Sequence, residues 1–406
     1  MNCTYDAVII GAGPAGSTAA ILLAQAGWSV AIVEKQPFPR RKVCGECIAA
    51  TNMPLMEKLG VADDFERLAG KPLRRVALML GERTIVSDLP ALPDTKYAWG
   101  RALSREHLDL LLLQKAATAG ADILQPWTVK AVRGSFGDFQ CGIASKSKAV
   151  RTLKASYIIA AQGSWEAQTF VKNEKTPQAP SDLFAFKANF LGGGLQPNLL
   201  PVLAFAGGYG GMVVDGDNVL TLACCIRRDT LKTCRTQFPR HTAAESVEAY
   251  LRASCSGVEK ALGGARRRDS WLSVGPLRPG IRLGKAQHEF LLVGNAAAEA
   301  HPIIGEGISM AMQSSWLLCE RLIAYRNAGV STTFSVIQEE YVRAWRSNFV
   351  NRLRLAALFA HVAMRPRLGG ALLPLLQRWP EVITQGAYMS GKVRPLRLDQ
   401  QIEELS

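Results

Sequence analysis

The sequence predicts an α/β fold: a Rossmann-like dinucleotide-binding domain built around the N-terminus, a second domain on an antiparallel β-sheet, and a helical, basic C-terminus. Three observations predict it. A glycine-rich turn, Gly11-Ala12-Gly13-Pro14-Ala15-Gly16, lies between an apolar run and a helix of small residues. Residues 183–225 break into short apolar or alternating runs punctuated by glycine and aspartate. Beyond residue 349, leucine, alanine and phenylalanine mix with arginine at helical spacing between Pro366, Pro374 and Pro380.

The first element is a strand over residues 6–10, and residues 14–26 then read as a helix that Gly27 ends. Residues 29–33 resume as a second buried strand, followed at once by Glu34. In such a unit Gly11 makes the tight turn, Gly13 lets a pyrophosphate approach the backbone, and Gly16 lets the helix touch the strand. Pro14 and Ala15 open the helix, whose positive end faces the phosphates, and Glu34 is placed to accept from ribose hydroxyls.

Residues 104–119 read as a helix capped by Ser104, with Leu108, Leu111, Leu112 and Ala116 on one face. The turns of the β-rich region fall at residues 192–194, 207–211 and 215–217. Residues 290–294 form another buried strand, and residues 307–325 a long apolar helix after a glycine-rich turn. There is no internal repeat.

A chain of 406 residues, 48% hydrophobic and 20% charged, buries a sizeable core in two or three packed domains, which excludes a fibrous or disordered protein. No apolar run is long enough to span a bilayer, and Asp6 stands where a signal peptide would be basic; a cytoplasmic protein is expected. The nine cysteines have no disulfide-framework spacing, and no grouping suggests a metal site. The net charge of +14 is concentrated late: Arg343, Arg346, Arg352, Arg354, Arg365, Arg367, Arg378, Lys392, Arg394 and Arg397 face one acid, Glu381, over residues 341–397. Two readings of that segment stay open, a helical lid with a solvated basic face and a peripheral membrane contact. No nucleic-acid motif accompanies the charge.

The sequence Leu292-Val293-Gly294-Asn295-Ala296-Ala297, followed by His301-Pro302-Ile303-Ile304-Gly305-Glu306-Gly307, resembles the second FAD motif of the p-hydroxybenzoate hydroxylase and geranylgeranyl reductase superfamily. Arg105 with Leu108 and Asp109 resembles that superfamily's Arg-x-x-Leu-Asp element, and Lys42-Val43-Cys44-Gly45 its Lys-x-Cys-Gly element in the prenyl reductase branch. Asn295 and Gln162, the latter in the run Ile158–Ser164, replace family acids.

The resemblance implies a GR2 or p-hydroxybenzoate hydroxylase type of FAD domain, made of residues 1–70, 101–165 and 276–345. Residues 71–100 and 166–275 would be the β-rich substrate domain, and residues 346–406 the basic C-terminal segment. It implies FAD as cofactor, held by Gly11, Gly13, Pro14, Ala15, Gly16, Glu34, Lys35, Arg41, Cys44, Gly45, Arg105, Gly163, Gly294, Asn295, Pro302, Gly305, Glu306, Gly307 and Ile308. The loss of the acid at Gln162 leaves the electron donor, NADPH or NADH, open.

The favoured activity is monooxygenation of a lipophilic aromatic molecule through a flavin C4a-hydroperoxide, with O₂ as co-substrate. Reduction of isoprenoid C=C bonds is the alternative, and a flavoprotein that only docks a partner or membrane is a third. Halogenation is disfavoured, because the stretch from Trp271 to Pro276 lacks the halogenases' second tryptophan. Candidates for chemistry are Cys44, Glu46, Tyr209 and His301: a thiol within Cys44-x-x-Cys47, an acid, a turn tyrosine and an imidazole.

Overall fold

The computed structural model describes residues 3–93, 95, 97–163, 177–284, 290–329, 332–392 and 396; Ser164, Arg394 and Arg397 lie outside them. The chain opens with β1 (Cys3–Ile10), α1 (Pro14–Gln25) and β2 (Val30–Val33). After two short helices come the hairpin β3 (Arg75–Leu80) and β4 (Arg83–Asp88), then α2 (Arg105–Thr118) and β5 (Asp122–Leu124). Three antiparallel strands follow, β6 (Trp127–Ser135), β7 (Asp138–Ser145) and β8 (Val150–Ala160).

The middle of the chain supplies β9 (Leu183–Leu191), β10 (Leu199–Phe205), β11 (Gly208–Val214) and β12 (Leu220–Arg227). Helices over Arg228–Gln237, Ala243–Ser254 and Ser256–Leu262 lead to β13 (Arg266–Arg267), β14 (Leu272–Leu277) and β15 (Leu291–Leu292). Four helices finish the described chain: α3 (Gly307–Asn327), α4 (Phe334–Ala363), α5 (Pro366–Arg378) and α6 (Glu381–Ser390).

The first sheet runs β5-β2-β1-β8-β7-β6, with β15 on the far side of β8. Its centre is parallel: Ala7 to Ile10 pair with Val30 to Val33 on one side and with residues 157–160 on the other. β2 is buried throughout, as a strand covered on both faces should be. On one face Ile9 and Ile32 meet Ala19 and Leu22 of α1, Leu108 and Leu112 of α2, and Leu317 of α3 in a single core. The small residues of α1 let α3 come close, so that Ser315 Oγ donates to the Ala15 carbonyl at 2.8 Å.

The second sheet runs β13-β9-β12-β11-β10-β3-β4, with β14 also on β9. It is antiparallel except where β10 pairs parallel with β3, Leu199 opposite Arg75. One face packs on the helices of residues 228–262. The other carries Ala185, Ala204, Tyr209 and Cys225 against Ala360 and Ala363 of α4.

Three local expectations change. The turn expected over residues 207–211 is confined to Ala206 and Gly207, and Tyr209 lies in β11, paired with Ala204 of β10. The strand expected over residues 290–294 is shorter, because Gly294 turns the chain with φ 59° into a single 3₁₀ turn, Gly294–Ala296. Pro366 starts α5 and Pro380 precedes α6, but Pro374 sits inside α5 without ending it. The last helices remain at the surface, where the carbonyl that Pro374 cannot bond meets water. Among the described residues no helix is long and apolar enough to cross a membrane.

Candidate functional site

A cavity of about 1250 Å³ extends from the C-terminal edge of the first sheet, under the second sheet, to the helices α4 to α6. Gly11, Gly13, Pro14 and Ala15 line it at one end, and Gly294, Asn295, Pro302, Gly305, Gly307 and Ile308 line the adjoining wall. The two glycine-rich bends are therefore parts of one groove. They meet because Gly294 has no side chain: a Cβ there would stand 2.9 Å from that of Ala15.

The first bend is shaped for a diphosphate. Gly11 has φ 100°, and a Cβ on it would press on the Ala161 carbonyl. A Cβ on Gly16 would run into the Gly11 carbonyl oxygen, so Gly16 stands behind the wall and keeps helix and turn in contact. Above Gly13 there is room, bounded by two guanidinium groups: a Cβ there would lie 3.8 Å from Arg105 Nη2 and 3.9 Å from Arg40 Nη2.

Arg105 is fixed by both oxygens of buried Asp109 at 2.7 Å, at the start of α2, whose N-cap Ser104 accepts from His107 N. Arg40 Nη1 donates to Glu34 Oε1 at 2.7 Å, while Glu34 Oε2 accepts from Ala12 N at 3.0 Å. A carboxylate at the end of β2, the start of α1 and two arginines could hold a ribose and a pyrophosphate.

Lys35, Arg41, Cys44, Gly45 and Gly163 also line the cavity. Arg41 turns its Nη2 to the Ser270 carbonyl at 2.8 Å, so the arginine over the phosphate turn is Arg40, which the sequence reading passed over. The local sequence could not choose between neighbouring arginines. The side each faces depends on the course of residues 36–41, where Arg40 stacks 4.4 Å from the Phe38 ring centre. Lys42 lines the same end, and burial, with Arg40 and Arg105 nearby, lowers its pKa to about 8.

Glu46 touches the cavity but is fully engaged. Its backbone is left-handed, with φ 59°. Oε1 accepts from Lys187 Nζ at 2.5 Å and Arg105 N at 2.7 Å, and Oε2 from Thr221 Oγ1 at 2.7 Å. The expected acid is a clasp between the first sheet's helix α2 and strands β9 and β12 of the second. Lys187, the buried partner, carried no signal in its strand.

Tyr209 lines the cavity and His301 stands behind it, Oη to Nδ1 at 3.0 Å. Burial lifts the phenol well above its usual pKa and lowers the imidazole below its own. Both shifts favour the neutral forms, so Tyr209 keeps its proton and the two side chains are joined as a neutral hydrogen-bonded pair. Glu306 is fully buried and meets Lys392 Nζ at 3.0 Å; Lys392 also reaches Cys47 Sγ at 3.6 Å. Cys44 and Cys47 are both thiols, Cys47 buried and with its pKa raised by that burial. Lys392 is a second residue the sequence reading did not place.

The groove suits FAD. Glu34 and the Gly11–Gly16 turn would hold the adenosine ribose and the pyrophosphate, with Arg40 and Arg105 as counter-ions. Gly305, in the left-handed region at φ 63° with its amide on the Pro302 carbonyl at 3.0 Å, shapes the turn, and Gly307 at the start of α3 would present its backbone amide to the ring. Gln162 Oε1 is buried in the same wall with no hydrogen-bond partner among the described residues.

Residues 4–173 match a family described as FAD binding domain. The menaquinone reductase of Mycolicibacterium smegmatis is 24% identical over 85% of this chain and 83% of its own. Among solved structures, the myxobacterial chondrochloren halogenase CndH superposes with a TM-score of 0.77 at 19% identity, covering 99% of this chain and 96% of the other. The probable FAD-dependent monooxygenase PqsL from Pseudomonas aeruginosa gives 0.68 at 16% identity over 91% and 100%. At these identities the structures share the fold.

Proposed function

We propose, from the premise that this chain belongs to the FAD-dependent oxidoreductases of p-hydroxybenzoate hydroxylase fold, that it is a monooxygenase hydroxylating a lipophilic aromatic molecule. The observation that carries this is the far half of the cavity. Beyond the FAD groove it is walled by Leu78, Leu80, Leu200, Val202, Leu355 and Phe359, with Tyr209 as the polar tip near the flavin turn. Such a chamber takes an apolar molecule and excludes water.

When bound, FAD supplies reduction by NADPH or NADH and activation of O₂, one oxygen atom passing to the substrate and the other leaving as water. The chain's own residues do the rest. The start of α3 at Gly307 faces negative charge on the ring, the apolar wall positions the substrate, and the protonated Tyr209 Oη, held by His301 Nδ1, is a hydrogen-bonding point for a polar atom of the substrate. The open chamber argues against a purely docking flavoprotein. The partners in this reading are a lipophilic small molecule, O₂ and a membrane surface at the C-terminal segment.

A second reading is favoured by one observation. Lys42, Val43, Cys44 and Gly45, the element similar to prenyl reductases, all line the cavity, and a menaquinone reductase is similar over most of its length. Saturation of an isoprenoid double bond would use the same chamber. Trp271, in the halogenase-like stretch, packs on Phe190 with ring centres 6.4 Å apart, in the core under the second sheet.

The test is turnover of lipophilic phenols and prenylated quinones by the FAD-loaded protein with NADPH or NADH under ¹⁸O₂. Incorporation of one labelled oxygen is the expected result. A product gaining two hydrogens and no label would replace this reading with the reductase, and a halide-dependent product would overturn both.

A further inference from the structure

We propose that the outer face of α5 and α6 docks on an anionic lipid bilayer, and that the cavity mouth between these helices admits the substrate from the lipid. The first part stands on the surface alone; the second rests on the reading of the substrate as lipophilic.

α5 has no buried residue. Leu368, Leu372, Leu375 and Trp379, four, three and four residues apart, form one stripe and are 46%, 41%, 43% and 53% exposed. Leu358, Val382, Tyr388 and Met389 are exposed beside it, so most of the large exposed apolar side chains of the described residues lie in this one region. Singly exposed leucines are ordinary, but a continuous stripe on a helix is an interaction surface.

The charge around the stripe selects the partner. Arg365 and Arg367 stand at the start of α5, Arg378 at its end, and Arg354 and His361 on the exposed side of α4. The acids that face this region are Glu381 on α6 and, from the β3–β4 hairpin under α5 and α6, Glu82 in its turn and Asp88 at its end; β4 also adds Arg83, which reaches Gln377 at 3.0 Å. A rim of arginines around an apolar stripe matches an anionic headgroup layer over acyl chains.

Leu372, Leu375, Val382 and Met389 are exposed and also line the cavity. The mouth therefore opens through the apolar stripe itself. A molecule soluble in the acyl layer would reach Tyr209 without crossing water.

The test uses the full-length, FAD-loaded chain and vesicles of phosphatidylcholine with and without phosphatidylglycerol. Binding should be about tenfold tighter or more with the anionic lipid and fall with added salt. Brominated acyl chains should quench Trp379, an effect lost in Trp379→Phe. Leu368→Glu/Leu375→Glu should abolish binding while FAD content is kept. Leu372→Trp/Met389→Trp, which fills the mouth, should leave vesicle binding intact and slow uptake of a vesicle-borne pyrene-labelled acyl probe about tenfold.

Vesicle binding untouched by Leu368→Glu/Leu375→Glu would overturn the docking. So would sedimentation showing a dimer that this double variant splits, with no lipid binding at all. Unchanged probe uptake in the filled-mouth variant would overturn the entry route. No turnover enters these measurements, so they fail or succeed apart from oxygen transfer.

Discussion

Lys392 Nζ lies 3.0 Å from Glu306 Oε1, an ion pair that fastens the end of the last helix to the residue before α3. Glu306 is fully buried and the Lys392 side chain is 11% exposed. The C-terminal segment is thus locked into the bend expected to face the flavin ring, although 86 positions separate Lys392 from Glu306 in the sequence (392 − 306).

Lys392→Met leaves the Glu306 carboxylate buried without its cation. Removing one partner of a buried pair costs about 3–5 kcal/mol. The expected outcome is a lower Tm of the FAD-loaded protein and faster FAD loss on dilution, read by melting and by the rise of free-flavin fluorescence. Retention equal to that of the parent would show that the pair does not support the bend.

Gly13→Asp places a side chain and a negative charge between Arg105, Arg40 and the incoming pyrophosphate. The purified variant should be colourless, with no absorbance near the flavin maxima, yet fold normally by circular dichroism. Full yellow colour would displace the cofactor from the first bend.

Lys187→Met breaks the clasp at Glu46, both of whose side chains are 1% exposed. A loss of about 3–5 kcal/mol is expected in denaturant unfolding, against about 1.5–3 kcal/mol for Thr221→Val, which removes one hydroxyl donor to the same carboxylate. Equal small losses would mean that the two sheets are held together elsewhere.

Lys42, held at about 8 in the free protein, gives the FAD site a pH dependence. A bound pyrophosphate favours the ammonium form and raises its pKa, so affinity is full below about 8 and falls as pH rises above it. Titration of apoprotein with FAD between neutral and alkaline pH should show this slope. Lys42→Gln should bind more weakly at neutral pH and lose that slope.

Much of the site could be read from the residues in order. The turn Gly11–Gly16 and Glu34 belong to one strand-turn-helix-strand unit, whose conformation is fixed by glycine stereochemistry and short-range hydrogen bonds. The Ser104 cap, the glycine-punctuated antiparallel strands and Gly305–Gly307 are local in the same sense. Arg40 against Arg41 was not legible, because adjacent residues point to opposite sides according to a backbone course set by distant contacts. Nor could the sequence show that Glu46 would be spent on Lys187, Thr221 and the Arg105 amide, since those donors come from three separate segments.

The sequence by itself determined that a glycine-rich turn joins the opening strand to its helix and that a second glycine-rich bend lies before a long helix. Only the tertiary structure decided that Gly294 rests on Ala15 so that both bends share a groove, that Tyr209 meets His301, and that the C-terminal helices roof the chamber through Lys392. The physical reason is range. Turn conformation and amphipathic spacing depend on neighbours a few residues away, whereas the partner of a buried charge is chosen by whichever segments the packed core brings within about 3 Å.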